Sequence, residues 1–346
     1  EDVTNIDSVG IVTARAGVNV SGGQFLVGSG VTIGVAGIAT FRTGRIDVTD
    51  ALNNTSIGFA AGDAHTTGTR NIAIGYAALT ANTTGNYNSV LGFETLEANT
   101  TGDANTAIGH KALEANTTAD SNTAVGYFAL GTNTTGAQNT AVGRAALDAN
   151  TTGANNTGVG QGALGAQTTA SLNTAVGSLA GDALTTGGCN TVVGLGALSA
   201  DQTGMNNVAI GHHALAAASG SILNVGVGQS TLYNVTTGKG NVALGAWAMY
   251  ANTTGNSNVA IGAWDYGNTI SPLRNNTTGS ANIAIGGAAL GANTTGVNNV
   301  GVGNSALGGN TTASNNTALG FKALRVNSTG QYNTAVGSVA LDKNTT

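Results

Sequence analysis

One period constrains this chain more than any other feature. An Asn followed four residues later by Gly recurs from Asn54 to Asn258 in steps of 17, and again from Asn282 to Asn333 in steps of 17. The step from Asn258 to Asn282 is 24. The sequence therefore holds seventeen copies of one unit and a single seven-residue insertion near residues 266–274. The unit reads N-T-A-V-G-x-x-A-L-x-A-N-T-T-G-x-x, and positions 1 to 17 below are counted from its Asn. A fixed short period means that each unit is one structural module, stable only when stacked on its neighbours.

Seventeen residues are too few for two packed helices and a turn, and Asn-Thr-Thr-Gly is poor helix material. Positions 1 to 5 read as a short strand. Positions 2 and 4 share one face with β-branched residues, and position 3 takes the other face. Position 5 is Gly in all seventeen copies, which predicts a positive φ or a close backbone approach that ends the strand. The Ala-Leu pair at positions 8 and 9 fits a second short apolar strand. Asn-Thr-Thr-Gly at positions 12 to 15 has turn chemistry. The expected fold is all-β: residues 54–346 form a parallel β-solenoid of seventeen coils, and residues 1–53 form a β-rich connector. Stacked at about 4.8 Å per coil, the shaft would run roughly 80 Å.

Composition narrows the class of function. The chain has 346 residues, 55 Gly, one Pro and a charged fraction of 8%, with net charge -5. Only 11 Lys and Arg are scattered along it, which argues against a nucleic-acid partner. No apolar run reaches the length of a membrane span, so membrane insertion is not expected. The start, EDVTNIDSVG, lacks the form of a signal peptide. The single Cys189 excludes an internal disulfide framework. The apolar content per coil is thin against the entropy of ordering seventeen residues, and it falls into two sets, positions 2 and 4 and positions 8 and 9. One set can line the coil while the other faces a neighbouring chain. That predicts a homotrimer or a higher fibrous assembly; a monomer with both sets inside is the alternative.

The repeat, as in NTAIGHKALEANTTADS (105–121), resembles those of phage tail-fibre-like proteins and bacterial surface fibres. It is also similar to a lengthened form of the N-x-x-A-I-G repeats in the heads of trimeric autotransporter adhesins. The resemblance covers residues 54–346 and implies a left-handed, trimeric parallel β-roll. NIDSVGIVTARAGVNVSGG (5–23) and GVTIGVAGIATF (30–41) look like the connecting modules of marine phage tail fibres. The coil is longer than the adhesin unit, so its turn geometry need not match. The chaperone-like C-terminal domain of such fibres is not in the sequence, and the chain stops at Thr346, position 14 of a coil, as expected of part of a longer polypeptide. The resemblance implies a non-enzymatic fibrous shaft, extracellular or on a virion surface, that supports host attachment. The alternatives are a cell-surface adhesin or an extracellular filament and, more remotely, an ice-binding solenoid using the Thr-Thr pairs.

No catalytic residues, cofactor or metal ligands are expected, because a repeat supplies the same residues everywhere and catalysis needs a unique constellation. The position-1 Asn residues, such as Asn122, Asn139, Asn156 and Asn173, are expected to stack as a hydrogen-bonded ladder. At position 12, Asn82, Asn99, Asn116, Asn133, Asn150, Asn252, Asn276, Asn293, Asn310, Asn327 and Asn344 each open an Asn-Thr-Thr or Asn-Ser-Thr sequence. Formally these are N-glycosylation acceptors; otherwise they simply build the same turn in every coil. The insertion gathers the rare residues Trp264, Tyr266 and Arg274, beside Trp247 and Tyr250 of the preceding coil. Both Trp residues fall at position 7 and should stack outward. They suggest a contact for a cell-surface glycan or receptor, or else aromatics packed on the shaft. His212 and His213, with Cys189 about a coil away, are too few for a metal site. Glu97 and Glu114, stacked at position 10, make at most a weak one.

Overall fold

The structure, a computed structural model, describes residues 50–262 and 270–345. The connector expected over 1–53 falls outside the described residues except for its last four, as do Trp264 and Tyr266. The repeat region is an all-β parallel solenoid. Each coil contributes one three-residue strand at positions 2 to 4, from β1 (Thr55–Ile57) to β17 (Thr334–Val336), and the described residues contain no helix. Each strand pairs in parallel with the next, one full repeat along. Thr140, Ala141 and Val142 of β6 (Thr140–Val142) face Thr157, Gly158 and Val159 of β7 (Thr157–Val159). The insertion does not disturb this order: Val259 of β13 (Val259–Ile261) still pairs with Ile283 of β14 (Ile283–Ile285). The strand register is therefore kept across the 24-residue step.

The position-5 Gly meets both demands read from the sequence. Gly143 has φ 134°, and a Cβ on it would lie 2.6 Å from the carbonyl oxygen of Gly160 in the next coil. That carbonyl cannot retreat freely, because the Gly160 N–H donates to Val142 O at 2.8 Å. Only a residue without a side chain turns the chain here.

The second strand expected at positions 8 and 9 does not form. Positions 7 and 9 adopt left-handed backbone, as at Ala145 (φ 52°) and Leu147 (φ 53°), so the segment is a turn. The reason lies in the core. Ala146 and Leu147 are adjacent and both fully buried, whereas neighbouring residues in a strand point to opposite faces. Left-handed backbone is costly for Leu, but it brings both side chains inward. The inter-coil hydrogen bonding continues without a strand, with Leu147 N–H donating to Ala163 O at 3.0 Å.

The interior of each coil thus holds the residues at positions 3, 8 and 9 in a continuous column. Two Asn ladders flank it. Asn139 Oδ1 accepts from Asn156 N at 2.9 Å and Nδ2 at 3.1 Å, and Asn139 Nδ2 donates to Gly153 O at 2.8 Å. The backbone part of this link, N–H to Oδ1, also joins Asn139 to Asn122 and Asn173 to Asn156. The second ladder runs through position 12, where Asn99 Nδ2 donates to Asn82 Oδ1 at 2.8 Å. The two ladders meet within the coils that carry both, since Asn150 Nδ2 also donates to Gly153 O, at 3.0 Å. The second ladder lapses at Gln167, Leu184, Asp201, Ala218 and Val235 and then resumes. It crosses the insertion through Asn276 Nδ2 to Asn252 Oδ1 at 2.8 Å.

Positions 2 and 4 point outward. No residue at position 4 is buried, and Leu91, Ile57 and Leu319 are 48–49% exposed. A monomer with both apolar sets inside is therefore not this fold.

Candidate functional site

The structure brings Trp247, Tyr250 and Arg274 together. Trp247 follows β12 (Val242–Leu244), and Tyr250 stands three residues further on, at position 10. The chain rejoins the coil after the insertion by lending Pro272 O to Met249 N–H at 3.2 Å and Arg274 O to Ala251 N–H at 2.9 Å. Arg274 is thereby set at position 10, directly over Tyr250. Its guanidinium carbon lies 5.3 Å from the Trp247 ring centre and 5.9 Å from that of Tyr250, and the two rings are 4.8 Å apart. Tyr233, one coil earlier at position 10, extends the group by stacking on Tyr250 at 5.3 Å. The sequence reading missed Tyr233, although its column position was legible. All four side chains are half-buried. Arg274 covers ring faces that a sugar would need, a cation–π arrangement that stabilises the group on the shaft. The expected partner of Trp247, Trp264, and Tyr266 with it, lie outside the described residues.

The position-12 Asn residues are not available to a glycan. Asn82, Asn99, Asn116, Asn133, Asn150, Asn252, Asn276, Asn293, Asn310 and Asn327 are all 0% exposed, and their amide nitrogens donate inside the coil, as at Asn116 and Asn133. Asn344 is half-buried in the last coil. The tripeptide that reads as a surface acceptor is here an internal ladder. The Thr residues that follow differ in role, as expected for sequence neighbours. Thr151 Oγ1 donates to Thr168 O in the next coil at 3.1 Å, while Thr152 is exposed. The position-13 hydroxyls are therefore committed to the ladder rather than free to order water.

Glu94 joins Glu97 and Glu114, with one carboxylate oxygen from each within 4.8 Å of the others. Lys111 stands among them, 2.7 Å from Glu114 and 3.1 Å from Glu94. These two carboxylates hold its ammonium above the usual range, while burial, and then repulsion from Glu94 and Glu114, push the Glu97 carboxyl up. The geometry is that of an ion-pair cluster with its own cation. Lys111→Met removes that cation, the one neighbour that lowers the Glu97 carboxyl, and so lifts its folded pKa further above its unfolded value. A carboxylate raised in this way stabilises the fold only at low pH, and that contribution is lost as pH rises through the folded value. The variant should therefore melt with the parent near pH 3 and below it at pH 7 (about one unit below and well above the carboxylate range). Equal deficits at both pH values would exclude the cluster reading. His212 is exposed and His213 half-buried, their rings 4.1 Å apart, with no third ligand brought to them among the described residues.

A column at position 6 was not anticipated. Phe59, Tyr76, Phe93, His110 and Tyr127, from five successive coils, stack at 5.0–5.6 Å with interplanar angles of 6–15°. All five are exposed. Each sits two residues after an aliphatic position-4 side chain, and two residues span at most about 7 Å, so this ladder borders the strand face. The signal was present, but it runs down the columns of the alignment rather than along any one repeat.

No family model matches the sequence, and no curated protein matches it.

Proposed function

We propose that this chain is a section of a non-enzymatic fibre shaft in which identical chains run parallel and bury the strand face against one another. The observation that carries this is the chemistry of positions 2 and 4. Across seventeen coils position 2 is Thr, Ser, Val or Ile and position 4 is Val, Ile or Leu, with no charge at either. A sheet face left in water normally reads polar, whereas this one carries an unbroken aliphatic row at position 4 beside Thr, Ser, Val or Ile at position 2. Extended exposed apolar surface marks interfaces. The face is about 80 Å long and about 10 Å wide, on the order of 800 Å², which is one side of a standard interface. A second copy is the occupant whose side chains share the coil spacing along the whole length.

On this reading the repetition supplies length and stiffness, as in a tail-fibre-like spacer outside the cell or on a virion, and the assembly is a homotrimer. Trp247, Tyr250 and Arg274 brace two successive coils beside the insertion. Light scattering on the purified chain is expected to give three times its 33.6 kDa mass, and Val142→Lys with Val159→Lys is expected to return a folded monomer. A parent chain that is monomeric at micromolar concentration would overturn the proposal.

A further inference from the structure

A repeat this regular creates a problem for its own assembly. If copies pack through positions 2 and 4, sliding one copy along another by a whole coil restores nearly the same contacts, because most coils offer Thr or Val beside Val or Ile. Side-chain period alone does not fix the register. Something non-repeating has to do so, as a single polar residue does in a coiled coil.

We infer that the aromatic ladder at position 6 is that device, and that its occupant is the same ladder on a second copy of this chain. The inference rests on the parallel assembly proposed above. The ladder occupies only five coils and stops abruptly, since the next two position-6 residues are the exposed Arg144 and Gln161. In register, ladder meets ladder. A slip of one coil sets Tyr127 against the neighbouring copy's Arg144 and takes one ring out of contact; each further coil repeats the loss. The arrangement of the rings also favours this occupant over a sugar. Stacked rings spend their faces on one another and turn their edges outward, whereas a pyranose packs on an open ring face. Ring edges suit the edges and aliphatic neighbours of a second such ladder.

Cross-linking tests the assignment. In a Cys189→Ser background, a tagged Val159→Cys chain is co-expressed with an untagged Val193→Cys chain. The two sites are equivalent and lie two coils, about 10 Å, apart along the axis, beyond the Cα separation of about 7 Å that a disulfide can bridge. The parent ladder is expected to give like-with-like disulfides only. Tyr76→Ser, Phe93→Ser and Tyr127→Ser, at side chains 43–54% exposed, should leave the coil folded and the oligomer intact. Like-with-like links should then fall, and tagged-to-untagged links should rise to a comparable level.

Like-with-like links that persist unchanged in the ladder variant would overturn the inference. So would a ladder variant that becomes monomeric, because the ladder would then be the adhesive rather than the register. A parent chain that is monomeric, or oligomeric without any cross-link at these sites, would instead overturn the assembly through the strand face and leave that face to a different molecule.

Discussion

Gly143→Ala is expected to cut the shaft in two. The substitution places a Cβ 2.6 Å from Gly160 O and 2.7 Å from Gly160 C, at a backbone φ of 134°. Neither fault can relax independently. Restoring an ordinary φ re-aims the chain after β6, and moving the Gly160 carbonyl disturbs the ladder that its own N–H shares with Val142 O. A strained φ costs about 1–3 kcal/mol, and forcing extra volume into a packed site costs about the same again. In a solenoid that energy falls on a single inter-coil contact, because each coil touches only its neighbours. The two sides should then unfold separately, giving two calorimetric transitions and a new protease cleavage near residue 143. Gly153→Ala is the control. A Cβ there would also crowd Ala170 O in the next coil and Asn150 Oδ1, but its φ lies outside the left-handed region. Position 15 is already Ala at Ala119, Ala170 and Ala313, where the stack accommodates the methyl. This variant should therefore keep a single transition near that of the parent, and the contrast isolates the strained φ. If Gly153→Ala splits the transition and Gly143→Ala does not, the account of position 5 fails.

How much of this was legible beforehand depends on whether the decisive constraint was local. The strand at positions 2 to 4 was legible, because alternation and the Gly that ends it lie within five residues. The position-1 ladder was legible, because an Asn that recurs at every coil has an evident stacked partner. The turn at positions 8 and 9 was not. Nothing in the sequence announces a Leu at positive φ, and the conformation follows from the need to bury Ala146 and Leu147 together, a demand that exists only once the coil has closed. The position-12 Asn misled for the opposite reason. Its local sequence carries a strong surface meaning, which stacking overrides by giving Nδ2 two acceptors inside. Coil 8 shows how the closed coil sets the rules. There position 9 is Gly181 and position 12 is Leu184, and a Cβ on Gly181 would meet Leu184 Cδ1 at 3.1 Å. The core Leu has simply come from the other side of the same cavity, a swap visible only when the two positions are known to face each other.

That interchange separates the two ladders energetically, and Asn139→Ala is where the difference should be largest. The truncation leaves the buried Asn156 N–H without its acceptor and removes one of the two acceptors of Asn156 Nδ2. An orphaned buried donor costs about 1–3 kcal/mol, and the vacated volume adds to it. Asn150→Ala should be milder. Asn150 Oδ1 has no partner to lose, and Gly153 O keeps its bond from Asn139. The loss is confined to the donor that Asn150 Nδ2 gives Asn133 Oδ1, with no backbone N–H orphaned, and position 12 is already Ala in coil 10, at Ala218. Asn139→Asp then distinguishes hydrogen bonding from volume. Its Oδ1 can still accept from Asn156, but its second oxygen would face Gly153 O, which Asn139 Nδ2 now approaches at 2.8 Å. Burial and that carbonyl raise the folded pKa of the new carboxyl above its unfolded value, so the stability it contributes is present at low pH and lost as pH rises. Once protonated, the carboxyl can donate to Gly153 O and rebuild the link. Thermal melts of Asn139→Asp should therefore fall well below the parent at pH 7 and approach it below about pH 4, while the deficit of Asn139→Ala stays constant. A pH-independent deficit in Asn139→Asp would mean that the position-1 Asn holds the coil by its volume and not by the bond to Gly153.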